Sequence, residues 1–493
     1  ADLPGTKREN KLQMSWDDLG NPEAPQINYA DMTGSEFEKL FFKAKLTVVL
    51  PLNLMYFLKD NIAHPVRLVY VLSTQFRSVF IRMFKAFAGL LRAGRHGTRA
   101  LFIAYHSIAE PIMESQGLSY MRGLAQDHNI EFSLLTFETD ASIDAGRKTA
   151  ADAGFPFTWK YSLYHQKPRL LATVWDILRG MFIVAGMIRT RRIALIHCRG
   201  LIPALMAYAP ARLFRAKVFF DSRGLLADKY VGGGLIRDGS LTYKAMRWCE
   251  DFLLRHADFV TVETKSHERV LLASGHVPGL ASKLVVIPCC VDLRKFDYAH
   301  GAQDTGRPFT VAYLGKVGTW YLVPEMLDFF KTLLRRRPSS RFCIITQDDP
   351  AALLELAGSK GIASDLIRVE RPGNGEVPAL LAQCDAGIFF INPHKRYNSS
   401  PIKFGEYLAC GLPVVVNSGV GDTDTICSNE RVGVVISSFA HEELSRAAEE
   451  LLSMTNDASS LKARCRKAAE RFFSLENGIK AYGDIYCSLS ERR

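Results

Sequence analysis

From Thr98 onward the chain repeats one pattern, a short apolar run followed by a longer stretch with apolar positions at helical spacing. Ala100-Leu-Phe-Ile-Ala-Tyr105 and Ile130-Glu-Phe-Ser-Leu-Leu-Thr136 are the first runs. Ile193-Ala-Leu-Ile-His197, Lys217-Val-Phe-Phe220 and Phe259-Val-Thr-Val262 follow, with helical stretches such as Leu241 to His256 between them. Runs that stay apolar instead of alternating predict strands covered on both faces, as in a doubly wound parallel sheet. The pattern restarts after Leu284-Val-Val-Ile-Pro288 and a polar connector from Gly301 to Pro308. Thr310 to Leu314, Arg341 to Thr346, Ile367 to Val369, Ala386 to Ile391 and Pro413 to Val416 form a second set, and a helical tail runs from Ala440 to Ser488. The predicted fold class is α/β: two Rossmann-like units facing across a cleft, over 98–296 and 308–475. A terminal helix, 476–493, is expected to return to the first unit, and residues 1–97 precede both as an N-terminal extension.

Composition narrows the class. A chain of 493 residues with 48% apolar and 23% charged residues is neither wholly disordered nor collagen-like. Its ten cysteines include no CxxC pair, which points to buried reduced thiols in the cytoplasm and away from a disulfide scaffold or zinc module. The polar stretch Ala1 to Gly34 carries no signal peptide pattern, and the missing initiator Met points to processing or truncation.

The net charge of +11 is uneven: residues 1–300 hold 39 basic and 28 acidic side chains, residues 301–493 hold 23 of each. Residues 61–100 carry Arg67, Arg77, Arg82, Lys85, Arg92, Arg95 and Arg99, no acid, and interleaved Phe76, Phe80 and Phe84. Residues 167–192 carry six basic side chains against one Asp. Leu46 to Leu58 is too short to span a bilayer, and Leu170 to Ile188 has Asp176 and Arg179 in its middle. The expectation is a peripheral protein at the inner face of the membrane, drawn by anionic lipid. The competing reading is surface helices whose Arg stems cover their own domain. No nucleic-acid-binding module accompanies the basic stretches, so no nucleic-acid partner is expected.

The densest chemistry lies in Asn398-Ser-Ser-Pro-Ile-Lys-Phe-Gly-Glu-Tyr-Leu-Ala-Cys-Gly-Leu-Pro-Val414. A Ser/Pro loop opens a helix there and Gly411 ends it before a strand. The start of such a helix offers free N–H groups and the positive end of its dipole, a seat for phosphate. Lys403 in the first turn is unfavourable to that dipole unless an anion joins it, and Glu406 is placed to accept from a pair of sugar hydroxyls. An ordinary capped helix with a surface Lys and Glu is the alternative. In the first unit, Arg199, Asp221 and Arg223 follow strands and should point into the cleft. The Arg pair would suit a phosphate held bidentately, or an Asp–Arg pair would merely fix the loop. His106 follows the first strand and is a further cleft candidate. Asp422-Thr-Asp424 lies in a Gly-rich loop and is set aside as a metal site, and Gly232-Gly-Gly234 reads as a flexible lid.

The Ser-Pro-x-Lys-x-x-Glu-Tyr-Leu-Ala-x-Gly-x-Pro-Val stretch resembles the donor-binding segment of retaining GT-B glycosyltransferases of family 4. Tyr313-Leu-Gly-Lys-Val-Gly-Thr-Trp-Tyr321, Glu376 to Asp385, Glu250 to Thr264 and Ile287 to Phe296 resemble other segments of that family in the same order. The resemblance covers roughly residues 98–490. It implies a retaining transfer of a sugar from a nucleotide-sugar, UDP- or GDP-linked, to an acceptor hydroxyl, with no cofactor and no metal. It implies that Glu406 binds the nucleotide ribose and that Gly315, Lys316 and Lys403 hold the diphosphate, with Lys316, Lys403 and Glu406 as the catalytic set. Ser399, Ser400, Pro401 and Ile402 complete the donor loop, and Arg371 falls near the base pocket. The family's first motif Glu is replaced here by Asn398, which can hydrogen-bond a sugar but brings no charge. Gly117 matches a glycine-containing loop of the acceptor domain, and Asp221-Ser-Arg-Gly224 stands where many relatives carry a His. The acceptor expected is a saccharide or lipid-linked saccharide in glycolipid or polysaccharide synthesis. Two rivals are a non-catalytic partner subunit of a polysaccharide synthase and a sugar-nucleotide 2-epimerase. The epimerase would demand acid/base carboxylates in the cleft, which the sequence supplies weakly.

Overall fold

A computed structural model describes residues 99–491 apart from 298–305, 319, 374 and 393–397. The extension, with Arg67 to Arg95, therefore lies outside the described residues. The described part falls within one compact unit.

Seven strands build the first sheet: β1 (Arg99–Ala104), β2 (Glu131–Glu138), β3 (Phe157–Leu163), β4 (Leu195–Arg199), β5 (Lys217–Asp221), β6 (Phe259–Val262) and β7 (Leu284–Val286). Their order is β3-β2-β1-β4-β5-β6-β7, with every pairing parallel. Six more, β8 (Thr310–Leu314), β9 (Arg341–Ile345), β10 (Ile367–Glu370), β11 (Ala386–Phe389), β12 (Val414–Asn417) and β13 (Gly433–Ile436), form the second sheet in the order β10-β9-β8-β11-β12-β13, again parallel. The central strands are buried along their length, which is why their sequences read as unbroken apolar runs. Covering helices show the complementary period. Val323–Arg336 buries Val323, Met326, Leu327, Phe330 and Leu333 on one face and places Arg335 and Arg336 at the negative end of its dipole.

Three details depart from the sequence reading. β3 is an edge strand whose Phe-Thr-Trp-Lys-Tyr-Ser-Leu alternates in sequence and is mostly half-buried, so it does not resemble the core strands. β4 lies two residues later than the apolar run, making Arg199 its last residue. The tail is three helices, His441–Met454, Ala458–Phe473 and Leu475–Glu491.

The second core is drawn from Leu293 to Phe473. The first takes Leu475, Ile479, Tyr482, Ile485, Tyr486 and Leu489 from the last helix and packs them on Phe132, Phe219 and Tyr120. The chain thus passes between domains twice, and the passages touch: Val291 N–H donates to Phe473 O at 2.7 Å and Leu475 N–H to Val291 O at 3.1 Å. Close approach needs a glycine here, since a Cβ on Gly123 would stand 2.3 Å from Ile479 Cδ1.

Candidate active site

Ligands of such sheets meet the carboxyl ends of the strands near the point where strand order reverses, here β1/β4 in one domain and β8/β11 in the other. Those ends face a common cleft of about 690 Å³.

The second-domain wall is built on the helix Ile402–Ala409, which follows the extended Pro401. Phe404, Tyr407 and Leu408 anchor it in the core, and that anchoring buries Lys403 as well. The ammonium lies 3.5 Å from the Tyr321 ring centroid and 4.5 Å from that of Tyr313. It has no hydrogen-bond partner among the described residues. It fits only because residue 315 is glycine. Gly315 adopts φ +133°, and a Cβ there would stand 2.6 Å from Lys403 Nζ. Burial pushes Lys403 well below the usual lysine range, opposed by Glu406. Burial likewise raises Glu406 to about 7, opposed by Lys403. A buried cation resting on aromatic faces, with no ion pair within the protein, is a site awaiting an anion.

Ser399, Ser400, Pro401, Ile402, Gly315 and Glu406 line the same cleft, and Ser400 Oγ accepts from Cys289 N–H of the first domain at 3.1 Å. Asn398 is fully buried beside them. Neither amide atom has a hydrogen-bond partner, and its Oδ1 would lie 3.1 Å from a Cβ on Gly224. Two expected donor residues stand apart. The Lys316 side chain is exposed and does not line the cleft. Arg371 is outside it too, donating to Gln347 O at 2.9 Å.

On the opposite wall the parallel register sets Arg199 beside Asp221 and Asp221 beside Thr261. Asp221 does not reach the cleft. It accepts from Thr261 Oγ1 at 2.8 Å and lies 3.8 Å from Arg199 Nη1, 3.7 Å from Arg223 Nη1 and 3.5 Å from His197 Nε2. Burial alone would raise its carboxyl, but Arg223, His197 and Arg199 outweigh that and hold it well below the carboxylate range. Arg223 also pairs with Glu263 at 2.7 Å and donates to Cys289 Sγ at 3.0 Å. Burial, then the neighbouring Arg223, lowers Arg199. Both arginines line the cleft, with Lys229 beside them donating to Arg223 O.

His106 lines a second hollow of about 480 Å³ with Tyr105, Glu110, Phe137 and Tyr164, and Pro111 borders both spaces. Burial and then Arg199 and Lys229 lower its imidazole to about 4, so it is neutral at pH 7. Gly117 is a packing position, where a Cβ would stand 2.8 Å from Met113 Cε. Gly233 packs likewise against Trp320, where a Cβ would stand 2.7 Å from Cη2.

The cleft holds more carboxylate than the sequence reading allowed, with Glu114, Glu263, Asp292 and Glu406 all on its lining. Three of these have basic partners: Arg122 for Glu114, Arg223 for Glu263 and Arg294 for Asp292. Glu263, Lys229, Cys289, Trp320 and Tyr321 were not singled out from sequence. Glu263 directly follows the last residue of β6, and that position is the signal that could have found it. Asp422 caps the helix Lys265–Ala273 across the domain boundary, accepting from Ser266 N–H at 2.9 Å, and Asp424 accepts from Gly419 N–H at 2.9 Å. Among the described residues no group of three or more His, Cys, Asp or Glu is arranged to hold a metal.

The basic helix Arg169–Arg191 is long and apolar enough to cross a membrane by length and composition. It packs on the helix Leu201–Phe214, buries Asp176 against Tyr105 Oη at 2.7 Å, and leaves Leu170 and Leu171 61% and 68% exposed.

Two family descriptions match the sequence. "Glycosyl transferase 4-like domain" matches residues 113–290, and "Glycosyl transferases group 1" matches residues 300–472. No curated protein matches the chain. Solved structures with the same fold include a glycosyltransferase from Rickettsia africae (TM-score 0.61, 13% identity, 81% of this chain and 100% of that one). Sucrose-phosphate synthase from Thermosynechococcus elongatus follows (0.60, 15%, 79% and 98%). Anabaena HepE, solved in complex with UDP and glucose, is similar over 79% of this chain and 99% of that one (0.57, 14%).

Proposed function

Because the chain belongs to the glycosyltransferases of the two-domain GT-B architecture, we propose that it moves a sugar from a nucleotide-sugar to an acceptor hydroxyl with retention of anomeric configuration. The observation that carries this is Lys403: buried, without a hydrogen-bond partner, at the start of a helix and pressed against a glycine that leaves its ammonium room. A departing nucleoside diphosphate gathers negative charge, and a preorganised cation in a dry site stabilises it most where the charge develops. In this reading Lys403 and the helix start hold the diphosphate, Glu406 accepts from the ribose hydroxyls, and the exposed Lys316 joins from the rim. Ser399 and Ser400 face the donor sugar with Asn398 buried behind them, and attack comes from the face the diphosphate leaves. No metal or other cofactor takes part, so EDTA leaves the rate unchanged.

The acceptor in this reading is a lipid-linked saccharide or glycolipid precursor at the cytoplasmic face of the membrane. The charge excess of residues 1–300 and the exposed Leu170 and Leu171 next to Arg169 support it. Flotation with vesicles containing anionic lipid tests that part, and charge reversal at Arg77, Arg82 and Lys85 should release the protein. The central test is a thermal-shift panel of UDP-, GDP-, ADP- and dTDP-sugars. Stabilisation by one base, lost in Lys403→Ala, is the expected outcome. No shift with any of the four would remove the donor assignment.

A further inference from the structure

The geometry points to a second phosphate-binding site in the cleft, on the first-domain wall, in which Arg199 and Arg223 grip a phosphoryl group carried by the acceptor. It rests on the donor reading above, because it assigns the nucleoside diphosphate to the other wall.

Arg199 ends β4 and is 5% exposed, yet its Nε and Nη1 have no hydrogen-bond partner and the side chain lines the cleft. Its approach to Asp221, at 3.8 Å, is an ion contact too long for a hydrogen bond. Arg223 is held on one side by Glu263 and Cys289, while its Nε has no partner. Buried guanidinium donors are normally satisfied, and these belong to two side chains that line the cleft. Counting the close charges, Arg199, Arg223 and Lys229 exceed Asp221 and Glu263 by one, so the cluster is not self-neutralised. The helix Leu201–Phe214 begins just after Arg199, with no side-chain cap and no acid in its first turn, which adds the positive end of its dipole. Two planar forks and a helix start match the tetrahedral oxygens of a phosphate better than they match a neutral sugar. The hollow lined by Tyr105, His106 and Phe137 borders the same cleft through Pro111 and leaves room for the rest of the acceptor.

The test titrates the full chain with inorganic phosphate by calorimetry at fixed ionic strength. Each titration is run with and without a saturating nucleoside diphosphate chosen from UDP, GDP, ADP and dTDP. The expected result is phosphate binding under both conditions. Arg199→Gln should weaken it at least about tenfold without changing nucleoside diphosphate affinity, and Lys403→Ala should do the reverse. Should Arg199→Gln fail to fold, Lys229→Gln reads the same loss from the open side. Phosphate binding that the nucleoside diphosphate competes away, or that survives both first-wall variants, or that the wild type does not show, overturns the proposal. If none of the four nucleoside diphosphates binds while Arg199-dependent phosphate binding persists, the donor reading fails and the anion site stands.

Discussion

The two walls of the cleft handle buried charge in opposite ways. On the second-domain wall a single ammonium, Lys403, lies against Tyr313 and Tyr321 with no ion pair. On the first-domain wall Asp221 and Glu263 tie two arginines into a network. The first arrangement sacrifices stability in the free protein to gain a ligand; the second stabilises itself and keeps only a remainder of charge for binding. A lone buried charge is strong evidence of a ligand, whereas a buried pair is weak evidence on its own.

Removing Lys403 should produce the largest contrast. Lys403→Ala is expected to lower kcat/KM by about 100-fold or more while leaving the free protein at least as stable in urea, since an unpaired buried charge disappears. A variant as active as the wild type would erase the distinction between the walls. Arg223→Ala should do the opposite to stability. It leaves Glu263 and Asp221 short of a partner and should cost on the order of 3 kcal/mol in chemical denaturation; an unchanged midpoint would show that the network is not cohesive.

Glu406 sharpens the comparison through pH. Its carboxyl ordinarily titrates near 4.5 and is raised here to about 7, so the folded protein holds a proton that the unfolded chain releases. The stabilisation is complete below 4.5 and is lost as pH rises to about 7. Glu406→Gln should flatten that slope, measured as urea midpoint against pH. Lys316→Ala is expected to have the smallest effect, a rate loss of less than about tenfold, because an exposed ammonium is screened by water.

The sequence was most legible where burial is uniform. β1, β5, β6 and β8 read as apolar runs because both faces are covered, and β3 escaped because polar residues alternate with apolar ones along an edge strand that stays mostly half-buried. Lys403 and Glu406 could be picked out because a lysine in a first helical turn opposes the dipole and asks for an explanation. Asp221 ends β5 and its carboxyl meets Thr261, Arg199 and Arg223 beneath the cleft, and charge balance between distant segments is not written in local sequence. Arg371 and Lys316 were placed by analogy of order alone, and loop geometry carries both away from the cavity. Gly117 and Gly233 show the same limit, since a glycine kept for a neighbour's side chain cannot be told from one kept for a ligand without its surroundings.

The return of Leu475–Glu491 to the first domain has a temporal consequence. A chain made from its N-terminus exposes the first domain's strands early, but the face that Ile479, Tyr482 and Tyr486 cover stays open until the final residues emerge. The second domain, whose core runs continuously from Leu293 to Phe473, can close before that. Order of synthesis and order of completion are therefore inverted, and a ribosome stall after Phe473 but before Leu489 strands an unfinished first domain next to a finished second domain.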